Sequence, residues 1–504
     1  MALTAALLGW MFDGAEMGLF SLIGRSAIRD LLGMSATPSD ADKQTVAFLF
    51  SVITAVFLVG AATGGVLFGW LGDRIGRVRA MSLSVVTYAL FTGLCGFATS
   101  AWQIAILRFI AALGMGGEWS LGVALVMEVW PNRSRALMAG LIGAAANVGY
   151  LLVGFLGLGI SQVPGTVRDW LLATGLPQTQ VTHLVANDAW RLLMILGVLP
   201  ALLTFFFRLF VPESEKWEKE QASGGTNHWA TRDLLGVLIG SMGPGLIIYA
   251  FADPQFSWQA RAVASVIGVV VATLGYLYPV MQYLKRVQAA STTKVQNAFV
   301  IRRMLLGACL SGVALMGTWG AAQQTPSWAG SLVDPKLTGT VGGITMICLS
   351  VGAITGTILG ALAGGWFGRR ITYCVLCLLS LGSVWVWAAF FNKYDNMFLL
   401  NAFLVGTFTA SFYGWLPLYL PELFGTNVRA TGQGFGFNFG RILAAVGALQ
   451  ATAIRDLFYE DIHLIGLTFP KGYPALLCTI SLIYLVGAVI IWFAPETKGQ
   501  PLPD

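Results

Sequence analysis

Gly69-Trp70-Leu71-Gly72-Asp73-Arg74-Ile75-Gly76-Arg77 recurs in shortened form as Gly365-Trp366-Phe367-Gly368-Arg369-Arg370, with 296 residues between the two tryptophans. A second block, Glu128-Val129-Trp130-Pro131-Asn132-Arg133-Ser134-Arg135-Ala136, returns as Glu422-Leu423-Phe424-Gly425-Thr426-Asn427-Val428-Arg429-Ala430, 294 residues on. Each copy sits on a short basic loop between long apolar runs. Two blocks returning at nearly one offset imply a duplicated unit, so the chain reads as two parallel halves.

The rest of the sequence says what the halves are made of. Of 504 residues, 56% are hydrophobic and only 11% charged, with a mean hydropathy of +0.73. A soluble domain carries about 25% charged residues, so folding in water would leave most of the surface apolar. Runs of about 20 apolar residues, long enough to cross a bilayer as helix, recur from end to end. The 61 glycines suit close helix packing in lipid. The net charge of +6 is spread over loops, which argues against nucleic acid as a partner. The six cysteines fall inside apolar runs; Cys374 and Cys377, mid-span, read as small apolar helix residues rather than a metal or redox pair.

Spans are expected near 3–23, 45–70, 80–99, 102–128, 136–160, 190–211, 233–252, 259–284, 304–324, 339–366, 372–391, 396–421, 433–454 and 473–494. Asp13 and Glu16 interrupt the first run, which makes it a spanning helix rather than a secretory signal. With both termini cytoplasmic, the inner loops, on the side of the repeated blocks, together carry more of the Lys and Arg than the outer ones, as the positive-inside rule requires. The expected fold is an all-α polytopic membrane protein with two pseudo-symmetric six-helix bundles, residues 1–212 and 304–504. Residues 213–303 form a cytoplasmic linker with two additional helices.

Three groups of charged or polar residues then stand out. The first lies on the repeated loops: Asp73, Arg74, Arg77, Glu128 and Arg135, with their counterparts Arg369, Arg370, Glu422 and Arg429. Gly72 and Gly76 allow a tight turn, and the charges can form a relay that latches the inner face; a topology-fixing basic loop or surface ion pairs are the plainer readings. The second group is intramembrane. Asp13 and Glu16, three residues apart, share a helix face, and carboxylates inside a span mark an ion or solute path. Arg108, in Arg108-Phe109-Ile110-Ala111-Ala112-Leu113-Gly114-Met115-Gly116-Gly117-Glu118, must find an anion or snorkel to the interface; Asp13 and Glu16 are its candidate partners, and Glu118 shares its helix. Asp13, Glu16, Arg108 and Glu118 are therefore expected to handle protons. The third group is expected to meet solute: Arg441 and Asn438 on one face of the span near 433, Asn147 in the fifth span, and the amides Gln323 and Gln324. Interfacial tryptophan anchoring and helix–helix hydrogen bonds are the structural alternatives for this last set.

These residues resemble the sialate:proton symporter family, one of the metabolite:proton symporters of the major facilitator superfamily. Trp10-Met11-Phe12-Asp13-Gly14-Ala15-Glu16 is similar to that family's first-span W-x-x-D-G-x-D pattern, with Glu in place of the second Asp. Gly69–Arg77 is similar to the superfamily's inner-loop signature, and Gly114–Trp119 with Glu128 and Arg135 to the family's fourth-span block. Pro212-Glu213-Ser214 and Pro495-Glu496-Thr497-Lys498-Gly499 look like the motifs that follow the sixth and last spans. The resemblance implies fourteen spans, two of them inserted between the halves. It also implies proton-coupled uptake of a small organic anion, a monocarboxylate or a sugar acid such as sialate, by alternating access. A neutral sugar or polyol porter and an aromatic-acid porter are alternatives, and a transporter-like sensor a remote one. No P-loop, His/Cys cluster or G-x-S-x-G elbow points to an enzyme, and no cofactor or metal is expected. The expected setting is the cytoplasmic membrane, with the protein working as a monomer among lipids, on a small solute and protons.

Overall fold

The computed structural model describes residues 2–34, 39–131, 133–159, 163–197, 210–253, 255–290, 297–320, 322–334, 337–457 and 460–503. Nearly all of it is helix. The first half runs α1 (Ala2–Leu31), α2 (Asp40–Ile75), α3 (Arg77–Leu94), α4 (Ala101–Val129), α5 (Arg135–Gly159), the short α6 (Val163–Ala173) and α7 (Gln178–Leu196). A polar stretch holding α8 (Glu215–Ala222) leads to the helical pair α9 (Leu234–Ala252) and α10 (Trp258–Ala290). The second half runs α11 (Asn297–Gly320), α12 (Thr325–Ser331), α13 (Thr338–Phe367), α14 (Arg369–Phe390), α15 (Asn396–Ala410), α16 (Phe412–Tyr419), α17 (Arg429–Asn438), α18 (Gly440–Leu457), α19 (Tyr473–Ser481) and α20 (Ile483–Ile490). A small antiparallel hairpin, Ile462–Leu464 with Leu467–Phe469, precedes α19.

Local chemistry sets several of the boundaries. Ser39 caps α2 reciprocally: its hydroxyl accepts from the Asp42 N–H at 3.2 Å, and the Asp42 carboxylate accepts the Ser39 N–H at 3.0 Å. Ser100 caps α4 by accepting the Gln103 N–H, and Asp395 caps α15 by accepting that of Phe398. The α2–α3 and α13–α14 turns each hinge on a glycine with positive φ, Gly76 at 110° and Gly368 at 97°, a region side chains seldom enter.

Among the described residues, 11 helices are long and apolar enough to cross a membrane. They match eleven of the fourteen expected spans, and the other three fail for identifiable reasons. In α1, Asp13 and Glu16 interrupt the apolar window, though the helix still packs against α5 and α7. The span expected at 190–211 runs into residues 198–209, which lie outside the described residues. The one expected near 433–454 is divided between α17 and α18 and contains Arg441.

Two seams join the halves: α2 packs on α17 and α18, and α5 on α13 and α16. Backbones approach closely there. A Cβ on Gly434 would lie 2.2 Å from the Gly65 carbonyl oxygen, and one on Gly143 2.6 Å from that of Tyr413. The α9–α10 pair leans on the first seam, with α9 touching both α2 and α18.

Candidate functional site

At the end of the molecule carrying the Gly76 and Gly368 turns, the repeated blocks fold into two related charge clusters. In the first, the Arg77 guanidinium meets Asp73 at 2.8 Å and Glu128 at 3.2 Å, and Arg429 reaches Glu128 from the other half at 2.8 Å. All four side chains are buried, Ser214 donates its hydroxyl to Glu128, and Arg77 also donates to the Thr426 carbonyl at 2.8 Å. In the second, Arg369 grips Glu422 with two bonds, at 2.6 and 3.0 Å, and Thr497 donates to the same carboxylate. Arg135, from the first half, is a charge neighbour of Glu422. Each cluster thus has a glutamate held by an arginine of its own half and faced by one from the other half.

The clusters also correct the alignment of the shortened repeat. Arg77 donates to the carbonyl of Gly72 and Arg369 to that of Gly364, five residues back in both cases. Arg369 therefore plays the part of Arg77, Gly368 that of Gly76, and Gly365 stands where Asp73 does. The acid survives in one half only. There it accepts from the backbone N–H groups of Ala430 (3.2 Å) and Thr431 (2.8 Å) and from the Thr431 hydroxyl (2.6 Å), at the N-terminus of α17, where the helix dipole favours a negative charge. Arg74 and Arg370 stand outside these pairs. Arg74 is bonded to Thr231 (2.7 Å), and Arg370 donates to the Ala494 carbonyl and, through its N–H, to Glu496.

Glu213 and Glu496 are members of these clusters that reading the charges alone missed, although their repeated Pro-Glu-Ser/Thr setting was a visible signal. Glu213 accepts from the N–H groups of Arg77 and Val78, Glu496 from those of Arg369 and Arg370. Each caps the helix after its glycine turn. Burial pushes the Glu496 carboxyl up, but the N–H groups of Arg369, Arg370 and Lys498 outweigh it and hold the group below the usual carboxylate range.

A cavity of about 1090 Å³ lies between the halves. It runs from Asp13, Trp119 and Arg441 to the helix ends at Lys43, Trp258 and Thr338, remote from the glycine turns. Its floor is closed by a Trp119–Phe437 stack with centroids 3.6 Å apart, and beneath that Gln433 and Asn438 of α17 donate to the Ser120 and Gly116 carbonyls of α4.

The intramembrane charges divide across the cavity wall. Arg108 pairs with Glu16 at 2.8 Å, with its guanidinium over the rings of Phe20 (4.1 Å) and Phe57 (4.5 Å), so both are buried behind the wall. Asp13 lines the cavity, and Glu118 is its electrostatic neighbour. Two buried carboxyls side by side are a setting in which one proton can be shared, because a protonated carboxyl donates and an ionised one only accepts. Gly9 makes room for this pair: a Cβ there would sit 2.0 Å from Glu118 Oε1. Arg441 lines the cavity, 5% exposed, and its Nε and Nη1 have no partner. Asn147, Gln323 and Gln324 also line it, and Asn147 spends its amide N–H on the Gly143 carbonyl at 2.9 Å. Asn438 does not reach the cavity; it is fully buried in the contact between α17 and α4.

Two helical halves closed at one end, with a charged cavity open at the other, define a multi-pass membrane transporter rather than an enzyme. The chain belongs to the family described as "Sugar (and other) transporter", which matches residues 1–232 and 260–499. It is similar to the sialic acid transporter NanX of Escherichia coli K12, 23% identical over 96% of this chain and 93% of that protein. It is 24% identical to the cis,cis-muconate transport protein of Acinetobacter baylyi, covering 88% of this chain and 85% of the relative. The niacin transporter NiaP of the same species is 23% identical over 98% and 93%. In structure it is similar to the major facilitator proton:xylose symporter XylE of E. coli, with a TM-score of 0.64 at 17% identity, covering 99% of this chain and 97% of that one. The fold is thus that of the major facilitator superfamily.

Proposed function

We propose that the protein takes up a small organic anion together with protons by alternating access. The observation that carries this reading is Arg441: two N–H groups of a buried guanidinium face a cavity in which Asp13 is the only acid among the described lining residues. A buried donor without a partner is costly, and a solute carboxylate would supply the missing acceptor as a charge-assisted pair. Asp13 and Arg441 are electrostatic neighbours. With its proton, Asp13 leaves Arg441 to the solute; without it, Asp13 competes for the same guanidinium and helps to expel the anion. Glu118 is the group with which Asp13 shares its proton. Arg108 holds Glu16 and fixes the first helix beside them.

The cavity exceeds the usual 300–1,000 Å³ of small-molecule sites, and its aromatic walls suit a planar or ring-shaped acid. Relatives named for muconate, niacin and sialic acid support the same class. A neutral polyol is the second reading, favoured by the amides Asn147, Gln323 and Gln324. On the proposed reading residues 1–212 and 304–504 are the moving halves and 213–303 the insert. Both termini are cytoplasmic, and a single copy in the cytoplasmic membrane suffices. The charge clusters are the inner latch, closed here, so the cavity faces outward.

The test is uptake into proteoliposomes with an inward proton gradient, offering muconate, nicotinate, sialic acid and xylose in turn. An acid should accumulate, and Arg441→Gln should abolish that accumulation. Xylose uptake unaffected by Arg441→Gln, with no acid transported, would establish the polyol reading instead.

A further inference from the structure

We propose that the helical pair between the halves forms part of the permeation path: Arg261, with Arg25 and Lys43, makes an anion-gathering vestibule at the cavity mouth. The inference rests on the anion-carrier reading and gives the insert a role within it.

Among the described residues the cavity lining carries four bases, Arg25, Lys43, Arg261 and Arg441, and one acid, Asp13. Arg441 lies at the base, and the other three come from helix ends remote from the glycine turns: α1, the first turn of α2, and the first turn of α10. A cleft lined by one sign of charge between low-dielectric walls concentrates ions of the opposite sign. Arg261 is well placed for this. One of its Nη atoms donates to the Asp253 carbonyl at 3.2 Å, its guanidinium lies 5.7 Å from the Phe251 ring, and its Nε has no partner. Asp253, the acid nearest in the chain, accepts the Gln255 N–H on Oδ1 at 2.9 Å, and its contact with Arg261 is through its backbone carbonyl. Arg25 is held at 4.6 Å over Phe50.

The insert is also fixed in place. Tyr276 of α10 is fully buried, its hydroxyl 2.7 Å from that of Thr63 in α2 and its ring edge-on to Phe439 of the second half. Phe251 and Trp258, which line the mouth beside Arg261, fall in the stretch 233–259 that the family does not match, whereas Arg261 itself lies just inside the matched segment 260–499. All three come from the α9–α10 pair, so that pair supplies both wall and charge here.

The test needs no knowledge of the solute. In a Cys309→Ala background, Ser51→Cys places a thiol on the cavity wall of α2, and its modification rate is measured with anionic and cationic methanethiosulfonates in phosphatidylcholine vesicles. The anionic reagent should be favoured by about tenfold over its ratio on a free thiol. Arg261→Gln should remove most of that preference and Arg261→Lys restore it, and Arg25→Gln on a separate helix should lower it independently. High salt should erase it. A preference indifferent to Arg261→Gln overturns the proposal. A preference that follows Arg261 when no acid is transported sinks the carrier reading and leaves the vestibule standing; Arg441-dependent acid uptake with no such preference does the reverse.

Discussion

Replacing Glu128 with glutamine should open the end of the molecule that the charge clusters close. Glu128 is gripped by arginines of both halves, Arg77 at 3.2 Å and Arg429 at 2.8 Å, and neither guanidinium is exposed. Removing one partner from a buried pair typically costs about 3–5 kcal/mol, because the remaining charge stays buried and uncompensated. Arg77 keeps Asp73 and the Thr426 carbonyl, and Arg429 keeps the carbonyls of Phe424 and Pro503. The lower end, about 3 kcal/mol, is therefore the better figure, and it shifts a two-state equilibrium by roughly 100-fold. Spin labels on Arg79→Cys and Ile371→Cys, exposed positions just past the two glycine turns, would read the separation of the halves. The longer-distance population should rise from a minority to a majority in Glu128→Gln. Arg74→Gln removes a charge from the same loop, but one bonded only to Thr231 within these contacts, and should leave the distribution alone. An unchanged distribution in Glu128→Gln would refute the idea that this carboxylate holds the ends together.

Two further outcomes follow from the same structure. Asp13→Asn should abolish accumulation driven by a proton gradient while leaving solute exchange within a factor of a few, since the amide cannot release a proton; undiminished acid-driven uptake would remove Asp13 from the coupling. Glu496, whose pKa is lowered in the folded protein, contributes stability that is present above the ordinary carboxylate pKa and is lost as the pH falls through the lowered one. Thermal unfolding in detergent should therefore show an acid-sensitive component that Glu496→Gln removes, and identical pH profiles for both proteins would contradict the capping role.

The halves, the helices and the importance of the repeated loops were legible because membrane helices announce themselves by length and hydropathy, and duplication by spacing. The intramembrane charges could be named, since Asp13, Glu16, Arg108 and Arg441 are conspicuous in apolar runs. Their pairing was not readable. Glu16 and Asp13 share one helix face, yet a turn's rotation sends one to Arg108 behind the wall and the other into the cavity with Glu118. Asn438 shares a helical face with Arg441, but a break at Phe439 and Gly440 separates α17 from α18 and leaves the amide buried against α4. Arg25, Lys43 and Arg261 lie near span ends, and hydropathy locates a helix end without saying whether it faces lipid or a cavity.

The missing acid in the second half makes the two seams unequal. Between α2 and α17 the halves are tied by polar bonds: Asp73 to Ala430 and Thr431, Gln433 to Ser120 and Asn438 to Gly116 through α4. The insert is bonded across the neighbouring stretch through Tyr276. Between α5 and α13–α16 the contact at Gly143 is close packing against the Tyr413 backbone and the Thr357 methyl, and the charge contact of this seam, Arg135 with Glu422, lies at the N-terminus of α5. Packed helices of that kind slide by small steps at little cost, whereas charge-assisted bonds at a helix N-terminus must break outright. A carrier built this way should open by yielding first along α5 and α13, with the α2–α17 seam releasing only when the Asp73 and Glu128 contacts are broken. On that ordering Asp73→Asn, which keeps the shape but weakens the bonds to Ala430 and Thr431, should make the two seams release together.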